Sequence, residues 1–292
     1  MCKINQLPRV SIFCDGNAAI GYGHLRRAFT LAEALKQFAD VRIIGLSKAA
    51  CQILGYADDY NNESSMIIFD TPYPIDDQLR QASEQGKTTV TLDWFGKTVP
   101  DVNIAVYPHA EIHANREVYV GFSYILIRKE IVLLRRPSST QSAERVLVFL
   151  GGGDLLNQGH DTALHLSRLG LDVTLIQGPF AANRSAGEGY QVLFNPAELP
   201  QLLASCDWAV TNGGGCLFEA MCIGKAAFVL PQTEAEMKIA QFADAHSAVL
   251  GVGLDNLRKF HLAEIEMVAK NGSILIDGLG AARVSAIVRG LL

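Results

Sequence analysis

The sequence has little positive charge and no long apolar run. Its 25 lysine and arginine residues are outnumbered by 30 aspartate and glutamate residues, which gives a formal net charge of −5 at pH 7. Nucleic-acid binding favours a basic surface, and no basic cluster is present. No apolar run approaches the roughly 20 residues that span a bilayer, and residues 1–9 lack the basic-then-apolar pattern of a signal peptide. We therefore expect a cytoplasmic protein without a nucleic-acid partner and without membrane insertion.

Patterns typical of metal sites are also scarce. The six cysteines include no Cys-x-x-Cys pair, so we expect reduced thiols and no structural zinc. His109 and His113 stand four residues apart and could share a helical face as metal ligands. Pro108 and the lack of an adjoining glutamate favour two surface histidines instead. We expect no metal and no cofactor.

Two common nucleotide signatures are absent. No Gly-Lys-Ser/Thr sequence follows a glycine loop, as it does in a Walker P-loop. Arg26 stands where a dinucleotide fingerprint that began at Gly21 and Gly23 would have its third glycine, and the second strand lacks the acid that binds ribose. ATP hydrolysis and NAD chemistry are therefore disfavoured.

What the chain does contain is a repeated alternation of strands and helices. Its 292 residues, 49% of them hydrophobic, suffice for about two cores. A buried strand, a glycine loop and a helix open the chain at residues 10–38, and the same order returns after the polar segment 135–142. This alternation is typical of parallel sheets. It predicts an α/β protein with two doubly wound Rossmann-like domains facing a cleft, at residues 1–136 and 145–292.

His24 lies where the first strand turns into the first helix, at the sheet edge where ligands bind. Histidine, with an unperturbed pKa near ~6.5, can accept or donate a proton at neutral pH. The alternative is a helix-capping histidine with no chemistry. Asp70, Tyr73 and Asp93 end strands at the same edge, where each could line the cleft or cap a loop.

Two glycine loops follow strands in the second half: Gly151-Gly152-Gly153-Asp154 and Asn212-Gly213-Gly214-Gly215. Backbone N–H groups in such loops, and the helix N-terminus that follows, suit an anion such as phosphate. Glu219 lies one helical turn beyond the second loop. Its carboxylate could accept hydrogen bonds from both hydroxyls of a ribose, or it could be an ordinary surface glutamate.

These motifs, in this order, resemble a known family. The residues that carry the resemblance are Asp15…Gly21-Tyr22-Gly23-His24…Arg27, Gly121-Phe122-Ser123-Tyr124, the loop at residues 151–154, and Asn212-Gly213-Gly214-Gly215…Glu219-Ala220. They are similar to the UDP-2,4-diacetamido-2,4,6-trideoxy-β-L-altropyranose hydrolases of pseudaminic acid biosynthesis. That family is related to the lipid-linked N-acetylglucosaminyltransferase of peptidoglycan synthesis, and the resemblance implies a GT-B fold. The resemblance covers about residues 10 to 250.

The resemblance also implies roles for particular residues. His24 matches the family's catalytic histidine, Gly213 to Gly215 match the loop that holds the UDP phosphates, and Glu219 matches the ribose ligand. Tyr73 and Asp15 are further candidates for orienting sugar or water. The other expected substrate-binding residues are Gly21, Gly23, Arg27, Gly152 and Asn212.

Two regions depart from the family pattern. The family has an Asp-His-Tyr-Gly run after its third strand, whereas this chain has Asp70-Thr71-Pro72-Tyr73, with the tyrosine shifted by one position. The family also has an Asn-Gln pair after the strand that ends near residue 230. Here that stretch is Gln232-Thr233-Glu234-Ala235-Glu236, without an asparagine.

We therefore expect a metal-independent UDP-sugar hydrolase. Water would attack the anomeric carbon with inversion, His24 would take the proton of the water, and UDP would leave by C–O cleavage. The substrate would be a UDP-activated amino or deoxy sugar. One alternative is a glycosyltransferase that uses the same cleft with another acceptor, and a second is a catalytically silent subunit that binds a nucleotide sugar.

Overall fold

The computed structural model describes residues 7–17, 20–54, 63–106, 117–136, 142–181 and 187–292. Residues 137–141 of the predicted linker lie outside the described residues. The chain divides into two compact units: unit 1 combines residues 1–128 with 279–292, and unit 2 comprises residues 129–278. No helix in the described part of the chain is long and apolar enough to cross a membrane.

Within the described residues, unit 1 contains a six-stranded parallel sheet. Its elements up to residue 120 are β1 (Arg9–Cys14), α1 (Gly23–Leu35), β2 (Asp40–Gly45), α2 (Lys48–Leu54), β3 (Met66–Asp70), α3 (Asp76–Glu84), β4 (Thr88–Leu92), β5 (Val102–Ala105) and β6 (Glu117–Val120). The strand order is β2-β1-β3-β4-β5-β6, with parallel neighbours throughout. β3 is buried at every position, as a strand covered on both faces requires. α1 buries Leu25, Ala28, Leu31 and Leu35 in the same core.

The described part of unit 2 contains a five-stranded parallel sheet. Its elements are α4 (Lys129–Leu134), β7 (Arg145–Phe149), α5 (Gly159–Arg168), β8 (Asp172–Gln177), β9 (Gln191–Phe194), α6 (Leu199–Ser205), β10 (Trp208–Thr211), α7 (Gly215–Ile223), β11 (Ala226–Val229), α8 (Glu234–Ala245) and α9 (Leu262–Leu275). The strand order is β11-β10-β7-β8-β9. Trp208 and Phe228 are fully buried in its core, and the Trp208 ring meets Phe260 edge-on at 5.3 Å between centroids.

The last helix, α10 (Gly280–Leu291), belongs to unit 1, which corrects the predicted boundaries of 1–136 and 145–292. Val284 and Val288 are buried in the core of unit 1. A Cβ atom at Gly280 would lie 2.0 Å from the carbonyl oxygen of Ile125, so this close approach needs glycine. At the other boundary, α4 belongs to unit 2. Arg135, directly after α4, donates to three backbone carbonyls of that unit, those of Cys222, Ser273 and Ile276.

Parallel strands bring their carboxyl ends to one edge of each sheet, where the following loops meet. In unit 1, β1, β3 and β4 are neighbours, so the loops that begin at residues 15, 71 and 93 are adjacent. In unit 2, β7 and β10 are neighbours, so the two glycine loops are adjacent as well. The candidate residues therefore form one group in each unit.

Candidate functional site

The first group is built around the loop after β1. Backbone hydrogen bonds between Asn17 and Gly21, at N···O distances of 2.8 and 3.3 Å, close this loop. Gly21 has a φ angle of 71°, in the left-handed region that favours glycine. α1 begins at Gly23, so His24 lies in the first helical turn, and its side chain is 22% exposed. His24 therefore lies at the edge of the sheet where β1 ends.

The imidazole of His24 contacts a carboxylate and not the helix backbone. Its Nδ1 lies 2.6 Å from Oδ1 of Asp70, the last residue of β3, whose side chain is fully buried. Arg27, one turn further along α1, donates from Nε to Oδ2 of Asp70 at 3.0 Å and from Nη2 to Oδ1. Its Nη1 donates to Oδ2 of Asp93 at 2.6 Å. His24, Arg27, Asp70 and Asp93 therefore form one ionic network, which we call the Asp70 network.

Charge keeps Asp70 ionised despite its burial. Burial alone would raise the pKa of this carboxyl, but Arg27 and His24 outweigh burial, and the pKa is lowered. The two carboxylates likewise raise the pKa of Arg27 against the effect of its own burial. An ionised carboxylate only accepts hydrogen bonds.

This protonation pattern selects one tautomer of His24. Nη2 of Arg27 also lies 3.1 Å from Nδ1 of His24, but a guanidinium can only donate and the Asp70 carboxylate can only accept. The 2.6 Å contact with Asp70 therefore requires a proton on Nδ1. In the neutral ring, Nε2 then carries the lone pair. The arrangement is that of a base held by a carboxylate.

Two other predicted residues lie beside this network. Asp15 is buried, and its Oδ1 accepts from the backbone N–H of Gly16 at 2.7 Å and from Oγ of Ser47 at 2.5 Å. Tyr73 is 41% exposed, and its hydroxyl accepts from Nδ2 of Asn17 at 3.2 Å. Tyr73 thus touches the glycine loop next to His24, whereas one oxygen of Asp15 is engaged in holding β1 to the loop after β2.

Cys14, at the end of β1, is not a nucleophile. Burial, together with the negative charges of Asp70 and Asp15, raises the pKa of its thiol to about 12. The thiolate is the reactive form of cysteine, so the protonated Cys14 serves as a small core residue.

The glycine loop after β7 is held by its own backbone and by Asp154. The carboxylate of Asp154 accepts from the backbone N–H groups of Gln158 and Gly159 at 3.0 and 2.8 Å, at the start of α5. The carbonyl of Gly152 accepts from the N–H of Phe180 at 2.8 Å. A cavity beside the loop is lined in part by Asp154, His160 and Gln177.

The loop after β10 has the local structure of an anion site. α7 begins at Gly215, so its first N–H groups point back toward the loop. Asn212 donates from Nδ2 to Oε1 of Glu236 at 2.5 Å, and its own buried Oδ1 has no hydrogen-bond partner among the described residues. Gly213 packs so closely on α8 that a Cβ atom there would lie 2.4 Å from the carbonyl oxygen of Glu236.

Glu219 is buried, with 9% exposure, on a helix whose residues 216–223 are all buried. The alternative of an ordinary surface glutamate is therefore wrong. A buried carboxylate needs polar partners. Glu236 was not predicted as a site residue, although the Thr233-x-x-Glu236 spacing is a capping-box signal.

Metal ligands are not grouped in the part of the chain that the structure describes. No set of three or more His, Cys, Asp or Glu side chains there could hold a metal ion. His109 and His113 lie outside the described residues. The sites described above thus consist of an ionic network in unit 1 and of two glycine loops in unit 2.

No family model matches this chain. Its sequence is 24% identical to the spore coat polysaccharide biosynthesis protein SpsG of Bacillus subtilis (strain 168), with 97% of this chain and 98% of that protein covered. Among solved structures it is similar to MurG of Acinetobacter baumannii, at 13% identity and a TM-score of 0.69, over 97% of this chain and 99% of that one. It is also similar to the glycosyltransferase SsfS6 of Streptomyces sp. SF2575, solved with thymidine diphosphate, at 12% identity and a TM-score of 0.62, over 97% and 99%.

A third similar structure is a putative UDP-N-acetylglucosamine 2-epimerase from Listeria monocytogenes, at 12% identity and a TM-score of 0.61, over 97% of this chain and 96% of that one. Such identities support conclusions about the fold and not about activity. Together with the two parallel-sheet α/β units, these similarities show that the chain has the GT-B fold.

Proposed function

We propose that this protein is an enzyme that processes a nucleotide sugar, and that it hydrolyses a UDP-activated amino or deoxy sugar to the free sugar and UDP. The proteins that this chain resembles support the broader part of this proposal. They include a polysaccharide biosynthesis protein, a glycosyltransferase solved with a nucleoside diphosphate and a putative UDP-sugar epimerase. The reaction itself is argued from the residues.

The observation that carries the proposal is the pairing of His24 with Asp70. With a proton on Nδ1, the ring can take a second proton on Nε2, and the negative charge of Asp70 stabilises the imidazolium that results. In the proposed reaction a water oxygen bonds to the anomeric carbon, and its proton passes to Nε2. The bond from that carbon to the diphosphate oxygen breaks, and the electron pair leaves with UDP.

The nucleotide would bind in unit 2. The loop at residues 212–215 and the N-terminus of α7 would hold the diphosphate and stabilise the charge that develops on it. Glu219 would accept hydrogen bonds from the ribose hydroxyls. Gly152, in the adjacent loop, would allow close approach of the backbone to the ligand.

Other residues would act around the base. Gly21 and Gly23 would let the sugar approach the loop, and Tyr73 would orient sugar or water from the loop after β3. We assign Arg27 a positioning role, because its guanidinium is committed to Asp70 and Asp93. Asp15 would act through the loop backbone, since its Oδ1 already accepts two hydrogen bonds.

A glycosyltransferase is the second candidate. The same base could deprotonate a hydroxyl group of an acceptor instead of water, and the similar structure of SsfS6 is that of a glycosyltransferase. A silent nucleotide-sugar-binding subunit is the remaining alternative, for which an intact His24–Asp70 pair would have no purpose.

Incubation with a panel of UDP-sugars distinguishes the three. Release of UDP and free sugar without an acceptor supports hydrolysis, and release only when an acceptor is added supports transfer. Binding without turnover in either condition supports the silent subunit. The His24→Asn variant, assayed in parallel, controls for a contaminating hydrolase.

A further inference from the structure

The carboxylate of Glu236 is hydrogen-bonded to the loop at residues 212–215. Oε1 of Glu236 accepts from Nδ2 of Asn212 at 2.5 Å, and Oε2 accepts from the backbone N–H of Gln232 at 2.7 Å. The backbone N–H groups of Gly213 and Thr233 also donate to this carboxylate. A loop that suits an anion is therefore bonded to an anionic side chain of the same chain.

Helix capping explains only part of this arrangement. Thr233 caps α8 by accepting from the backbone N–H of Glu236 at 3.2 Å, and a glutamate at this position usually completes such a cap by bonding near the cap residue. The contacts with Gln232 and Thr233 fit that role. The contacts with Asn212 and Gly213 do not fit that role, because these two residues belong to a different loop. Asn212 is 24 residues from Glu236 in the sequence.

We propose that Glu236 controls the binding of a nucleoside diphosphate at residues 212–215, and that one proton from solvent neutralises its carboxylate when the diphosphate binds. The step makes an O–H bond on Glu236 and releases donors of the loop to the phosphate oxygens. It rests on the proposed function, since it assumes that the diphosphate of UDP binds at this loop.

The surroundings of Glu236 favour uptake of that proton. Burial raises the pKa of Glu236, and the hydrogen bonds from Gln232 and Asn212 offset only part of this rise. The four groups that donate to the carboxylate are uncharged. The other acidic and basic side chains on α7 and α8 are Glu219, Glu234, Lys238 and Asp244. Asp154 lies in the loop after β7, the strand next to β10.

Three of these charges already have partners nearby in the sequence. Asp154 accepts two backbone N–H groups at the start of α5, and Lys238 lies 3.4 Å from Glu234. No cation thus balances Glu236 among the contacts described. A diphosphate placed beside it adds negative charge, which raises the pKa of a carboxyl group further.

The test is the affinity for UDP as a function of pH. Calorimetric titrations would compare the wild-type protein with Glu236→Gln and with Glu234→Gln from about pH 5 to about pH 8. Glu234 is the matched control, because it loses the same charge on the same helical turn while its side chain is 86% exposed. Ratios between proteins at each pH cancel the titration of UDP itself.

At about pH 8 we expect Glu236→Gln to bind UDP about tenfold more tightly than the wild type, the equivalent of one pKa unit. The ratio should fall toward one as the pH is lowered, and Glu234→Gln should follow the wild type at every pH. Equal affinities at every pH, or weaker binding by Glu236→Gln at every pH, would overturn the proposal and leave Glu236 as a cap. If none of the proteins binds UDP at any pH, the proposed function fails first, and this inference fails with it.

A measurement on the wild type alone covers the case in which Glu236→Gln does not fold. Titrations with UDP at several pH values from about pH 5 to about pH 8, each in two buffers of different ionisation enthalpy, measure the protons taken up on binding. Net uptake at any of these pH values supports the proposal, and zero uptake at all of them overturns it.

Discussion

The two units present the same strand–loop–helix arrangement with opposite chemistry at the loop. In unit 1 the carboxyl ends of β1, β3 and β4 carry the Asp70 network, in which every member has an ionisable side chain. In unit 2 the ends of β7 and β10 carry glycine loops, whose donors are backbone N–H groups and the amide of Asn212. One edge is suited to moving a proton and the other to holding an anion.

The difference shows how one architecture can divide a reaction. Ionisable side chains can change charge during a reaction, whereas backbone amides supply a fixed field for a charge that develops on the ligand. Substitutions in unit 1 should therefore affect the rate and the stability of the network, and substitutions in unit 2 should affect nucleotide affinity.

The largest effect on stability is expected for Asp70→Asn. The substitution removes the charge of the fully buried Asp70 and leaves Arg27, which is 24% exposed, with one carboxylate partner instead of two. Breaking a buried ion pair costs 3–5 kcal/mol, and we expect about 3 kcal/mol because Asp93 remains. Urea unfolding measures the loss. The matched control is Asp77→Asn, an exposed residue paired with Arg80, which should cost about 1 kcal/mol at most. Equal losses in the two variants would contradict the structural role of the network.

Glu219→Ala should have the largest effect on nucleotide binding. Loss of the hydrogen bonds that ribose hydroxyls make to a charged acceptor should weaken UDP binding by about 1.5–3 kcal/mol. Calorimetry with UDP measures this, and Glu234→Ala on the exposed face of α8 is the control. Unchanged UDP affinity in Glu219→Ala would remove Glu219 from the nucleotide site.

Acid should remove part of the stability that Asp70 provides. Because the pKa of Asp70 is lower in the folded protein than in the unfolded chain, its contribution is fully present above the unfolded pKa of about 3.9 and is lost as the pH falls through the folded pKa. The difference in unfolding free energy between wild type and Asp70→Asn should therefore shrink in acid below about pH 4. A difference that stays constant throughout that acidification would show that the charge of Asp70 is not what stabilises the fold.

The smallest expected effect is that of a chelator. Within the described residues no group of side chains suits a metal ion, and a helix N-terminus can hold a diphosphate without one. Turnover of a UDP-sugar should persist in EDTA. If EDTA abolishes turnover and Mg²⁺ or Mn²⁺ restores it, the backbone N–H groups of unit 2 do not hold the diphosphate without a metal ion.

Apolar periodicity was enough to predict many of the helices and strands. It was not enough to predict which unit each of them belongs to. β1, α1 and the elements of both glycine loops follow patterns that act within a few residues. α10 could not be assigned to a unit, because an amphipathic helix has the same pattern whichever sheet it covers. β9, with no fully buried residue, and the short α4 offer weak patterns and were not predicted.

The candidate site divides in the same way. The positions of His24 and of the loop before Glu219 follow from local motifs. The partners of these residues do not, because Asp70 is 46 residues from His24 and Asp93 is 66 residues from Arg27. An acid at the end of a wholly apolar strand was the only signal for Asp70. Glu236 carried the signal of a helix cap, which says nothing of the loop it contacts.

The central claim is that His24 contributes to the rate and not to nucleotide binding, and the His24→Asn variant tests it most directly. Asparagine fits the loop but cannot accept a proton at neutral pH, so kcat on a UDP-sugar that the wild type hydrolyses should fall by about 10²-fold or more. The affinity for UDP, measured on the same preparation, should stay within error of the wild type, and His246→Asn, at an exposed histidine of unit 2, should change neither. An unchanged kcat would make His24 a structural residue, and a lost affinity for UDP would contradict the division of roles between the two units.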